Sequence, residues 1–226
     1  METQKHKTIL SKILIDIYQD GYLSWILWFK WWTCAMLFYA LPRMSIDLDF
    51  DLLSEDSDLD LAIDKISIIL SKYWAILDQK NKFYTIFWEL SRQPNHPKIK
   101  IEISKRKSPA QYKIQNFLWE NIYIMTDSDI YTSKMRALIN RSQIATRDIY
   151  DIRRFASQWF APNRELSKTY SWLERNDFLD KVILYISNFN FANILFGLWD
   201  LLDNSQKVFA KSKMKAQVLW YLEFLR

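Results

Sequence analysis

Asp47, Asp49 and Asp51 stand at alternate positions of "IDLDFDLL". Alternating apolar and acidic residues is the period of a strand with one polar face. Residues i and i+2 of a strand point the same way, so Asp47 and Asp49 project side by side. Mg²⁺ prefers oxygen ligands and is usually shared between one or two carboxylates and substrate phosphates. Glu102, in "KIKIEISK", supplies a third acid: Ile99, Ile101 and Ile103 take one face of that segment, Lys100, Glu102 and Ser104 the other. Asp47, Asp49 and Glu102 are therefore the candidate metal ligands. The plainer reading of Glu102 is an exposed acid paired with Lys100 or Lys105.

These acids need strands to carry them. "WILWFK" reads as a short buried strand and Thr33 to Ala40 as a helix closed by Leu41-Pro42. A first helix is expected from Lys7 to Gln19, with Ile9, Ile13, Leu14 and Ile17 as its apolar stripe and Gly21 beyond its end. "LSEDSDLD" reads as an acidic loop before a helix that runs to Lys72. "KFYTIFWELSRQ", "YKIQNFL" and "NIYIM" read as further strands. After Met125 the pattern turns helical, opening on the capping chemistry of "TDSD". The expectation is an α+β core over residues 1–125 and a helical region over 126–226, packed on the core.

The chain has 226 residues, half apolar and a quarter charged, enough for one large domain or two small ones. The net charge of +5 mildly favours a polyanionic partner, and equally describes a protein that is merely basic. Cys34 is the one cysteine, so no disulfide framework forms. His6 and His96 lie too far apart in sequence to suggest zinc. "METQKHK" has no signal-peptide pattern, which points to the cytoplasm. The run Tyr22 to Leu41 is long enough to span a bilayer, but Lys30 falls in its middle, where a charge is costly, so no membrane association is expected.

Glycine is scarce and tryptophan abundant. Ordinary usage predicts about 16 glycines at this length; there are 2, with 11 tryptophans. Several tryptophans sit where local chemistry asks for glycine. Trp31-Trp32 occupies a strand-to-helix turn, Trp119 lies between two strand-like runs, and Trp159 follows a helix where a left-handed residue usually stands.

"FKWWTCAMLFYALPRMSIDLDFDL" resembles the first motif of the AbiEii-type nucleotidyltransferase toxins, a branch of the polymerase-beta-like superfamily. The matching positions are Lys30, Thr33, Pro42, Arg43, Ser45, Asp47, Asp49, Phe50 and Asp51. A second segment, "MTDSDIYTSKMRALINRSQIATRDIYDI", matches at Lys134, Ala137, Leu138, Arg141, Arg147, Asp148, Tyr150 and Asp151. Such proteins carry Gly-Gly where this chain has Trp31-Trp32. Those glycines let backbone N–H groups approach a triphosphate at a helix start. One account covers both the block and the missing glycines: UGA codons that the source decodes as glycine, written as tryptophan. The other is a degenerate relative that has lost activity.

The resemblance implies a polymerase-beta-like fold and Mg²⁺-dependent transfer of a nucleotide from an NTP to an acceptor such as tRNA. It also implies a role as a toxin of a toxin–antitoxin or phage-defence pair, with a cognate antitoxin as partner. Asp47 and Asp49 would hold Mg²⁺; Glu102 would either activate the acceptor hydroxyl or complete a two-metal site. Lys30, Trp31, Trp32, Thr33, Ser45, Lys134 and Arg147 fall at nucleotide-binding positions. Asp148 would either orient Lys134 or act in catalysis, and Arg43 would brace the acidic strand. Lys134 and Asp148 are expected to face the Asp47–Asp49 strand across one cleft. Lys105-Arg106-Lys107 is either a guide for an RNA acceptor or an ordinary exposed loop. The alternative function is an inactive binding module on the same fold, its nucleotide site filled by Trp31 and Trp32.

Overall fold

Period-two alternation does make the strands of this protein. Its computed structural model describes residues 2–53, 56–91, 98–141, 143 and 145–226, with the backbone alone at 2 and 3. His96, and residues 54–55 and 92–93 of the expected acidic loop and strand, lie outside the described residues. The chain divides into two units, Met1–Ala40 with Met44–Met125, and Leu41–Arg43 with Thr126–Arg226.

The first unit runs α1 (Glu2–Gln19), α2 (Leu23–Ile26), β1 (Leu27–Lys30), α3 (Trp31–Phe38), β2 (Asp47–Leu52), α4 (Leu59–Ser71), β3 (Ala75–Asn81), β4 (Thr85–Ser91), β5 (Ile99–Ser104), β6 (Tyr112–Phe117) and β7 (Glu120–Met125). All seven strands join one mixed sheet in the order β3-β4-β5-β2-β1-β7-β6. β1 pairs antiparallel with β2 and parallel with β7, and β2 pairs parallel with β5. The apolar positions of these strands, among them Phe29, Leu48, Phe50, Trp88, Ile101 and Ile124, are fully buried on one face. The Trp88 indole N–H donates to Ser67 on α4 at 3.0 Å, fixing that helix against this face. Asp58 caps α4 by accepting from the Leu61 N–H. The other face of the sheet carries the acids.

β3 is an element that the sequence pattern did not announce. "AILDQKN" lies at the sheet edge with most of its side chains exposed, so burial imposes little alternation on it. The first helix begins at Glu2 instead of Lys7, and α3 begins at Trp31 instead of Thr33.

The second unit continues with α5 (Asp127–Asn140), α6 (Thr146–Ala156), α7 (Arg164–Ser171), α8 (Arg175–Ser187), α9 (Asn204–Ser212) and α10 (Met214–Leu225). Thr126 caps α5, as "TDSD" predicted, with Asp127 and Asp129 in its first turn. α6 packs against α5 and α10. Among the described residues no helix is long and apolar enough to cross a membrane.

Among the described residues, five non-glycine residues have positive φ: Trp31 (60°), Ala40 (51°), Leu118 (57°), Trp159 (61°) and Trp172 (60°). Each takes the left-handed conformation that costs an L-residue about 1–2 kcal/mol and glycine almost nothing. Trp159 closes α6 in a Schellman pattern: its N–H reaches the Ala156 carbonyl, and the Phe160 N–H reaches that of Phe155. Trp172 ends α7 with a single N–H bond to the Lys168 carbonyl. Trp119 departs from expectation. It is exposed at the β6–β7 turn, and its neighbour Leu118 takes the positive φ.

Trp172 isolates the cost of this geometry, because the side chain is 91% exposed. Trp172→Gly is expected to stabilise the protein by about 1 kcal/mol: relief of left-handed strain, less the extra entropy that glycine loses on folding. Thermal melts of both forms measure it. A lower melting temperature in the glycine form would mean that the turn stores no strain.

Candidate functional site

Strand register assembles the acids. Asp49 lies opposite Glu102 on β5 and opposite Lys30 on β1, so all three share a face with Asp47 and Asp51. Lys30 is buried, 2.5 Å from an Asp51 oxygen, and its ammonium lies 4.2 Å from the centre of the Trp31 ring. The Tyr112 hydroxyl donates to the other Asp51 oxygen. Asp51 is thus met by two partners. Burial, and then the charges of Asp47, Glu102 and Asp51 against the pull of Lys30, push the Asp49 carboxyl up to about 8.

Two hydroxyls fix where this strand starts. Thr33 and Ser45 are hydrogen-bonded at 2.9 Å, and the Thr33 hydroxyl donates to the Asp47 carbonyl. They tie the first turn of α3 to the start of β2, a positioning role that their residue types alone did not reveal. Trp31 and Trp32, half-buried at the head of α3, stack on each other with ring centres 6.4 Å apart.

The second unit holds the second motif. Lys134 on α5 is fully buried, with its ammonium 2.7 Å from Asp148 and 2.9 Å from Asp151 on α6. Arg43 forks onto Asp151 with two contacts of 2.6 Å, so it braces the second motif, where the acidic strand was expected. Arg141 stands 3.0 Å from Asp148. Burial pulls the Lys134 ammonium below its usual range, against the two carboxylates. Burial alone would raise Asp151, but Arg43 and then Lys134 outweigh it and hold the carboxyl low. Removing one member of such a buried ion pair generally costs about 3–5 kcal/mol, because the other charge is left alone. Arg147, by contrast, is exposed on α6 and stands outside this cluster.

The donor set suits a hard divalent cation: carboxylate oxygens, mutually repelling, in a site short of positive charge. Among the described residues no three His, Cys, Asp or Glu side chains form a ready-made metal cage.

The family described as nucleotidyl transferase AbiEii toxin, Type IV TA system, matches residues 33–206. The chain is similar in structure to a protein of H. pylori described as a candidate nucleotidyltransferase, at TM-score 0.61 and 17% identity, over 100% of this chain and 98% of that one. It is also similar to JHP933 from Helicobacter pylori, at TM-score 0.60 and 16% identity, over 99% and 94%. At such identities the likeness speaks for the fold, a nucleotidyltransferase-like mixed sheet with flanking helices. Among curated proteins none matches.

Proposed function

The chain belongs to the AbiEii nucleotidyltransferase toxin family, and from that premise we propose that it moves a nucleotidyl group from an NTP to a nucleic-acid acceptor such as tRNA, with Mg²⁺ as cofactor. The carrying observation is the register that sets Asp49 beside Glu102 and Lys30 on one face, next to Asp47. The acceptor hydroxyl oxygen attacks the α-phosphorus. A P–O bond forms there as the bond to the β-phosphate oxygen breaks, and pyrophosphate leaves. Glu102 takes the hydroxyl proton on a carboxylate oxygen. Asp47 and Asp49 would hold Mg²⁺, which supplies charge neutralisation at the phosphates. Lys30 fixes Asp51 and limits the negative charge beside them. Lys134, fully buried between Asp148 and Asp151, serves to hold α5 against α6, and Arg147, exposed on α6, keeps the phosphate-contact role that the second motif gives it. A cognate antitoxin would restrain the activity, as befits a toxin–antitoxin or phage-defence pair in the cytoplasm.

The test is incorporation of labelled NTPs, one base at a time, into total tRNA with Mg²⁺. Labelled RNA is expected with a preferred NTP. No incorporation by a form with glycine at 31 and 32 would end this reading. The second reading, an inactive binding module, is favoured by one observation: the Trp31 ring covers Lys30 and stacks on Trp32.

Metal binding should follow pH with a defined sign. The Asp49 carboxyl is raised to about 8 in the folded protein, whereas the unfolded chain releases that proton near pH 4. Its contribution to metal-free stability is therefore complete below about pH 4 and is lost as pH rises through about 8. Mg²⁺ must displace the proton, so its affinity should rise about tenfold per pH unit up to about pH 8 and then level. The Mg²⁺-induced rise in melting temperature should grow from about pH 6 to about pH 8, and Asp49→Asn should flatten it. A shift independent of pH would remove Asp49 from the ligand set.

A further inference from the structure

Two residues along β2 from Asp49, Asp51 forms part of the wall of a second feature. A cavity of about 370 Å³ is lined by Trp28, Asp51, Leu52, Leu53, Lys105, Lys107, Ser108 and Tyr112. Its size falls at the low end of the ~300–1,000 Å³ typical of small-ligand sites. It lies wholly within the first unit.

Its walls are of two kinds. Trp28 and Tyr112 form an aromatic side, their ring centres 4.6 Å apart, with Tyr123 behind Trp28 at 5.9 Å. Lys105 and Lys107 form a basic side. Lys105 donates to the neutral Asn81 side chain at 3.0 Å, and Lys107 is exposed. The one carboxylate in the wall, Asp51, is already met by Lys30 and the Tyr112 hydroxyl, so the cavity presents net positive charge to an incoming group. The Trp28 indole N–H is shut off from solvent and meets no acceptor among the described residues. Trp28 sits in regular β1 and is absent from the positive-φ residues, so nothing in its backbone asks for glycine.

Flat π-faces beside ammonium groups match a base joined to a phosphate. We propose that this cavity holds one nucleotide of the strand that receives the transferred group, its base against Trp28 and Tyr112 and its phosphate on Lys105 and Lys107. The inference rests on the transferase reading above and adds the acceptor's seat. On a strand, i and i+2 are about 6.6 Å apart, roughly the spacing of successive nucleotides. A chain lodged at Asp51 would thus bring its next unit toward Asp49 and Glu102.

The test uses the full chain and two probes: a fluorescein-labelled single-stranded RNA of about ten nucleotides, followed by anisotropy, and unlabelled CMP as competitor. Lys105→Ala with Lys107→Ala should weaken RNA binding at least tenfold and lower its salt dependence, while the affinity for NTP with Mg²⁺ stays unchanged. Trp28→Leu should weaken RNA binding about fivefold or more, and Trp28→Phe should retain most of it. CMP should compete only at concentrations far above those of the RNA. Unchanged RNA affinity in the lysine variant overturns the proposal, and the lysines are peripheral enough that loss of fold does not cloud the result. A parallel fall in NTP affinity would make the cavity a donor site, and CMP as potent as RNA would make it a free-nucleotide site; either outcome also overturns it. Asp49→Asn should bind RNA normally. RNA held through these lysines by a chain that transfers nothing would sink the transferase reading and leave the seat standing.

Discussion

Asp49→Asn is expected to lower nucleotide transfer a hundred- to a thousandfold, to background, and to leave the protein folded. Removing one preorganised electrostatic group from a reacting phosphate is usually worth that much. The change is isosteric, and below about pH 8 the metal-free Asp49 carboxyl already holds its proton: burial, then Asp47, Glu102 and Asp51, push against its ionisation, and only Lys30 favours it. The variant should therefore melt at the same temperature as the parent or higher without Mg²⁺, and should lose most of the Mg²⁺-dependent rise. Asp47→Asn should behave alike in activity. Labelled-NTP incorporation and thermal melts on the same preparations separate chemistry from folding. Full activity in either variant rules out the metal assignment.

Trp31→Gly with Trp32→Gly is expected to tighten NTP binding by about a hundredfold or more, read by calorimetric titration with Mg²⁺. Trp31 is held at φ 60° at the head of α3, where backbone N–H groups are directed outward for an anion. An indole in that position adds on the order of 150–250 Å² of side chain to a place where a triphosphate needs bare backbone. Its ring also engages Lys30, a cation at the acidic face. The double glycine form should be the more stable as well, since left-handed strain at residue 31 is relieved. In the coding DNA, the codons for Trp31, Trp32, Trp159 and Trp172 should be UGA. Trp119, like Trp32, takes no positive φ, and of the two only Trp32 stands at a Gly-Gly position of the first motif. UGG at positions 31 and 32 would end the decoding account, and equal NTP affinity in the two forms would show that the loop does not touch the nucleotide.

The face-sharing of Asp47, Asp49 and Glu102 was legible because burial of one side of β2 and β5 forces strict alternation on both strands. The same pressure is absent from β3, an edge strand, and no pattern marked it. The glycine deficit pointed to Trp31 and Trp159 through the local logic of a helix start and a helix end. It misplaced the hairpin at Leu118, because which of two turn residues takes positive φ is set by the twist of the strands and not by composition. Arg43 was invisible as a partner of Asp151. The two lie 108 positions apart, and a bidentate fork leaves no periodic trace. Thr33 and Ser45 were legible as hydroxyls near the acids but not as the pair that secures the strand.

The parallel pairing of Phe29 on β1 with Ile124 on β7 sets a condition on synthesis. The strand that carries Lys30 occupies the middle of the sheet, yet one of its two neighbours is among the last strands of the first unit to be made. Contacts so distant in sequence form late and slowly. Until the ribosome has released residues up to Met125, β1 presents an open row of N–H and C=O groups, the kind of edge that recruits other chains. A product cut short before β7 would therefore be an aggregation hazard and not a weakened enzyme, and quality control would meet it first as misfolded protein.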